Sequence, residues 1–237
     1  ASAPDVDRTR LERRKSKRYL DEVVTDLDTA LDAVMVAKMR NMGQACTAAN
    51  RIFVHRDVMD EFARGLTQRM STLTVGNGLS EGTQVGPLVE RKAVDKVEEL
   101  VDDAVRRGAS LRCGGTRPDG PGHFYPPTVL TDVTDDMVCF ANETFGPVVS
   151  IYPVDSTDEA IKLANDTDYG LNASVFAGSS AEAQEVAEQL RAGTVNINEG
   201  YAAAWASTAA PMGGMGISGM GRRHGDEGLL KYTEPQT

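Results

Sequence analysis

From Arg51 to Asn198, short runs of strand-forming residues alternate with segments whose apolar positions recur at the helical period. Strand-like runs stand at 51–55, 128–130, 148–154, 173–177 and 194–198. Between them, Asp57 opens a helix with Val58, Phe62, Leu66 and Met70 on one side. The clearest helix sets Ala93, Val94, Val97, Leu100, Val101, Ala104 and Val105 on one stripe until Gly108 stops it. Further helices are expected at 158–164 and at 181–191, the latter stopped by Gly193. A tight hairpin cannot join parallel strands, so each pair needs a crossover, usually a helix. The alternation therefore predicts an α/β fold with a mainly parallel sheet. At 237 residues the chain can bury a core without disulfide or metal staples.

Upstream of this region, Thr25 and Asp28 resemble a capping box. Leu27, Leu31, Val34, Met35 and Lys38 then mark one helical face that ends near Asn41-Met42-Gly43. Ahead of that helix, Arg8 to Arg18 holds seven basic residues against one acid, Glu12. The chain as a whole has 25 basic and 35 acidic residues, a net charge of -10. That balance argues against nucleic acid or an anionic membrane as a partner, so the basic run reads as a solvated leader. No apolar run approaches the ~20 residues of a membrane span and no charged-then-apolar leader opens the chain, so a cytoplasmic protein is expected. Cys46, Cys113 and Cys139 are an odd count with no CxxC pair and no histidine at ligand spacing. Neither a disulfide scaffold nor a cysteine-based metal site is expected.

Cys46 lies in Gly43-Gln44-Ala45-Cys46-Thr47-Ala48-Ala49-Asn50-Arg51, between a helix end and a strand. A cysteine in such a turn, near backbone N–H donors, is either an activated thiol or an inert small hydrophobe. Cys113 and Cys139, at a strand end and in an apolar patch, read as inert. Asn142-Glu143-Thr144-Phe145-Gly146-Pro147-Val148 sets an acid and an aromatic before a turn into a strand. Gly214-Met215-Gly216-Ile217-Ser218-Gly219 matches the GxGxxG spacing of a dinucleotide site. Pro211 interrupts any strand before it, and no βαβ unit follows, so the match is set aside. His55, His123 and His224 form no base–nucleophile pattern.

Together these segments resemble the catalytic half of the aldehyde dehydrogenases, from Asp26 to Thr237. The resemblance rests on Gly43-Gln44-Ala45-Cys46, on Glu143 to Val148, and on Pro211-Met212-Gly213-Gly214 with Ser218-Gly219-Met220-Gly221-Arg222. Gly228 to Glu234 also fits. Met35 to Arg51, Pro118 to Gly122 and Trp205 to Thr208 are most similar to the succinate-semialdehyde dehydrogenase branch. The resemblance implies that Cys46 attacks an aldehyde, the alkoxide rests on its own N–H, and hydride passes to NAD or NADP, leaving a thioester for water. It assigns Glu143 to the nicotinamide ribose and Phe145 to packing near the nicotinamide. Arg40 and Ser207 correspond to the residues that grip the substrate's distal carboxylate, a task suited to a guanidinium fork. Glu12, 34 residues before Cys46, corresponds to the general base.

The chain departs from the family in several places. The upstream nucleotide-binding domain is expected to be largely absent, with the Asn of the oxyanion hole and the Lys on the cofactor ribose. Leu11-Glu12-Arg13-Arg14-Lys15 replaces Leu-Glu-Leu-Gly-Gly, Asn142 replaces an acid, and Ala48 stands where some relatives have a second cysteine. The expected division is an atypical basic leader at 1–25, remnant of the segment joining to the nucleotide-binding domain, then a catalytic domain at 26–211. A tail at 212–237 follows, with a strand at 232–237 that joins subunits of a homo-oligomer. Two functions follow. One is the catalytic portion of an NAD(P)-dependent aldehyde dehydrogenase acting on a small aldehyde, succinate semialdehyde. The other is a non-redox remnant that binds partner subunits or hydrolyses activated esters at Cys46. The 237 residues alone are expected not to turn over aldehyde with NAD(P).

Overall fold

The computed structural model describes residues 27–234. The basic leader, the Thr25 capping position and Glu12 lie outside the described residues. The first helix, α1, covers 27–39. It leads through a 3-10 turn into β1 (Arg51–His55) and α2 (Met59–Ser71). Then come α3 (Arg91–Arg106), β2 (Ser110–Cys113), β3 (Thr128–Thr131), α4 (Val138–Ala141) and β4 (Val148–Val154). The chain continues through α5 (Thr157–Asn165), β5 (Asn172–Val175), α6 (Ser180–Ala187) and β6 (Thr194–Ile197). Two short helices follow, α7 (Ala202–Ala206) and α8 (Gly225–Leu230).

The larger sheet has the order β1-β4-β3-β2, with β4 parallel to both β1 and β3. The fourth strand, β2, pairs antiparallel with β3 through an irregular register at Leu111/Cys113. β4 is central and buried along nearly its whole length because both faces are covered. Its alternation divides the core. Val149 and Ile151 face Leu31 and Val34 of α1 and Phe62, Leu66 and Met70 of α2. Val148 and Tyr152 face the other way, towards Val94, Val97 and Val101 of α3. The helical stripe read from sequence is thus the face that packs, except for Val105, which is 42% exposed at the helix end.

The parallel sheet of the sequence reading is present but divided. β5 and β6 form a separate parallel pair. Between β1 and β5 lies a cavity of about 840 Å³, lined also by Ala30 and Val34 of α1 and Ile161 of α5. One other expectation changes. The helix expected at 181–191 ends at Ala187, and Gly193 has a different role. A Cβ there would lie 1.5 Å from the Gly213 carbonyl oxygen, so Gly193 permits the tail to cross backbone to backbone. The segment 231–234 forms a turn and an irregular stretch, with 235–237 outside the described residues. A strand needs a partner, and none of the described residues pairs with it. The GxGxxG run folds as a 3-10 turn (Gly216–Ser218), and its Ser218 Oγ accepts from the Gly170 N–H at 2.9 Å. Among the described residues no helix is long and apolar enough to cross a membrane.

Candidate active site

The loop that carries Cys46 begins where α1 is forced to stop. Asn41, Met42 and Gly43 have φ of 49°, 55° and 72°, three consecutive left-handed residues that reverse the chain. For Asn41 and Met42 this costs about 1–2 kcal/mol each, so other contacts must hold the reversal. Three are visible. Asn41 Nδ2 donates to the Gln44 carbonyl at 2.9 Å, and Gln44 Oε1 accepts from the Val89 N–H at 2.9 Å. Gly43 stands against Gly146, where any side chain would collide with the carbonyl. Beyond this anchor, a turn closed by Ala48 N–H donating to the Ala45 carbonyl at 2.8 Å presents Cys46 to solvent. The Cys46 N–H makes no backbone hydrogen bond among the described residues, which leaves it able to face a developing oxyanion.

The second loop leaves α4 and carries Glu143. Its holder is Asn50, a residue that sequence reasoning did not single out. Asn50 Oδ1 accepts from the Thr144 N–H at 2.9 Å, and its Nδ2 donates to the Asn142 carbonyl at 3.2 Å. One amide thus grips the backbone on both sides of Glu143, which is half-buried and lines the same cavity as Cys46. Phe145 follows with φ 52°, half-buried and off that cavity's wall. Gly146 then passes Val97 so closely that a Cβ would sit 2.5 Å from its Cγ2.

Lys38 lies beneath both loops. It shares the apolar face of α1 as the periodicity indicated, yet it is only 1% exposed, and its Cε comes within 3.3 Å of the Cβ position at Gly43. Burial lowers its pKa to about 8, and the nearby Glu143 carboxylate partly opposes that fall. Arg40, two residues on, is exposed; its Nη2 donates to Thr47 Oγ1 at 2.6 Å, and its guanidinium lies 4.1 Å from the Tyr201 ring centroid. Arg40 is therefore tied to the residue that follows Cys46. Ser207 is exposed just past α7, and Tyr201 stands at the other end of that helix.

The other cysteines are poor nucleophiles. Cys139 is buried beside the Tyr152 hydroxyl, and Cys113 is half-buried; burial pushes both thiols up. His55 is exposed, and its Nδ1 accepts from the Asp57 N–H, a local turn role. Among the described residues no cluster of His, Cys, Asp or Glu could hold a metal.

Residues 19–237 match the model of the aldehyde dehydrogenase family. The chain belongs to that family. It is 53% identical over 213 residues to a putative succinate-semialdehyde dehydrogenase (NADP+) 2 of Mycobacterium bovis, covering 90% of this chain and 41% of that protein. The crystal structure of succinate-semialdehyde dehydrogenase from Burkholderia pseudomallei superposes with a TM-score of 0.82 at 42% identity, covering 87% of this chain and 42% of that one. An NAD+ complex of an aldehyde dehydrogenase from Bacillus cereus gives a TM-score of 0.83 at 40% identity, covering 88% and 42%. This aldehyde dehydrogenase chain thus spans about two fifths of the length of the relatives it matches. Within that portion Cys46 and Glu143, far apart in sequence, line one cavity.

Proposed function

We propose that this chain is the catalytic portion of an NAD(P)-dependent aldehyde dehydrogenase whose substrate carries a distal carboxylate, as succinate semialdehyde does. The observation that carries the reading is the exposed Cys46 thiol on a turn locked against the Glu143 loop, with Arg40 bonded to the adjacent Thr47. Cys46 sulfur would form the bond to the aldehyde carbon, sending the carbonyl electrons to oxygen beside the Cys46 N–H. When bound, NAD or NADP supplies the hydride acceptor. Water would break the carbon–sulfur bond at the end and release the acid. Glu143 is an acceptor suited to ribose hydroxyls, and Phe145 an apolar neighbour for a nicotinamide ring. Arg40 and Ser207 would hold the carboxylate. Glu12, outside the described residues, is proposed as the base that activates water. The cofactor's pyrophosphate is not assigned to this portion, because the GxGxxG run is a 3-10 turn.

Limiting iodoacetamide at neutral pH, followed by peptide mapping, tests the assignment of the nucleophile. Cys46 is expected to carry the label first. Equal labelling of the three cysteines, or preference for Cys113 or Cys139, overturns it.

A further inference from the structure

Arg40 differs from four other arginines of this acidic chain. Arg56 is paired with Asp155, Arg69 with Asp28 and Asp32, Arg107 with Asp103 and Asp136, and Arg117 with Asp95 and Glu98. Among the described residues no carboxylate pairs with Arg40. Its partners are a hydroxyl, Thr47 Oγ1, and an aromatic face, Tyr201. Neither neutralises the charge. The hydroxyl takes one Nη2 donor and the ring covers one face, which leaves the other donors of the planar fork for an incoming anion.

We infer that Tyr201 is a positioning residue: its buried ring fixes the plane of the Arg40 guanidinium and so sets the preference of the Cys46 site for carboxylate-bearing substrates. This rests on the carboxylate reading given above. An arginine side chain left free samples many rotamers, and each misaimed one weakens a bidentate contact. Stacking on an aromatic face removes that freedom without competing for the fork's in-plane donors.

The fold gives Tyr201 a firm seat. It is 5% exposed and follows Gly200, whose missing side chain lets the β6–α7 turn settle on α1. A Cβ on Gly200 would lie 2.5 Å from the Ala33 carbonyl oxygen and 3.2 Å from the Ala37 Cβ. The Gly200 carbonyl accepts from Ser174 Oγ at 3.0 Å. Glu199 Oε1 accepts from the Tyr201 and Ala202 N–H groups at 2.9 and 2.6 Å, holding the start of α7. The aromatic platform therefore reaches Arg40 from the turn after β6, about 160 residues away in sequence, which is why no local motif shows it.

The test needs no cofactor. Mono-p-nitrophenyl succinate and p-nitrophenyl butyrate each acylate a thiolate: a sulfur–acyl bond forms, the ester bond breaks, and p-nitrophenolate leaves. The ratio of the two acylation rates at Cys46 reads the carboxylate preference. A purely structural defect slows both esters alike and leaves the ratio unchanged. Tyr201→Met is expected to lower the ratio roughly fivefold, while Tyr201→Phe, which keeps the π face, retains it. Arg40→Met should abolish the preference. Far-UV circular dichroism checks that each variant is folded; should Tyr201→Met fail, Tyr201→Leu serves the same purpose. A folded Tyr201→Met or Tyr201→Leu protein with the wild-type ratio overturns the inference. So does a Tyr201→Phe protein whose ratio falls as far as theirs. If Arg40→Met also leaves the ratio unchanged, the carboxylate reading itself is overturned.

Discussion

Gly43 and Gly146 meet backbone to backbone, so closely that a Cβ on Gly43 would stand 2.1 Å from the Gly146 carbonyl oxygen. This contact joins the Cys46 loop to the Glu143 loop. Gly43→Ala faces both that collision and a φ of 72°, and should destabilise the protein by about 2–4 kcal/mol. Urea unfolding measures the loss, and Cys46 alkylation should change rate in parallel. A variant with wild-type stability and reactivity would show that the loops are not locked at this point.

Asn50 holds the Glu143 loop by two separable bonds. Asn50→Asp keeps the acceptor for the Thr144 N–H and loses the donor to the Asn142 carbonyl, whereas Asn50→Ala loses both. Amide exchange at Thr144 should stay slow in the aspartate variant and rise in the alanine variant, with a stability loss of about 1–3 kcal/mol for the latter. Equal exchange in the two variants would place the anchor elsewhere.

Lys38 makes stability depend on alkaline pH. Its folded pKa, about 8, lies below the ordinary lysine value of 10.5, so between those values the unfolded chain binds more protons than the folded one. Stability from this group therefore rises as pH climbs from about 8 towards 10.5, by at most about 1 kcal/mol per pH unit. Lys38→Met removes the buried charge. It should exceed wild type in urea midpoint at pH 7 and lose that advantage as the pH approaches 10. A gap that is constant across this range means that Lys38 does not titrate in the folded protein.

Arg40 is expected to act on the substrate and not on the loop alone. In a form of the enzyme that turns over aldehyde, Arg40→Ala should cut kcat/KM for succinate semialdehyde roughly ten- to a hundredfold, the value of one charge-assisted pair. Butanal, without the carboxylate, should be affected far less. The rate of reduced cofactor formation decides this, and equal losses on both aldehydes would assign Arg40 to loop support.

Much of the fold was legible because local pattern and burial agree. The stripe from Val94 to Ala104 packs as its period required, and four of the five strand runs before the tail, at 51–55, 128–130, 148–154 and 194–198, lie within a residue of the observed bounds. The fifth, expected at 173–177, is observed one residue earlier and ends at Val175. Cys46 and Glu143 each stand in a contiguous run that the sequence singles out, and Arg40 is singled out through the family resemblance. What the linear pattern could not carry was anything decided by two distant backbones. Gly193 reads as a helix stop from its neighbours alone, but the reason for a glycine there is Gly213. Lys38 reads as one more position on a helical face; only its enclosure beneath Gly43 and Glu143 changes its proton affinity. Asn50 and Tyr201 were not singled out by sequence, and their contacts exist only because the fold brings them to Thr144 and Arg40. Periodicity and motif chemistry act over a few residues, so sequence determined the elements and the candidate groups. Desolvation, steric exclusion and stacking act through space, so the tertiary structure alone decided how those groups are held.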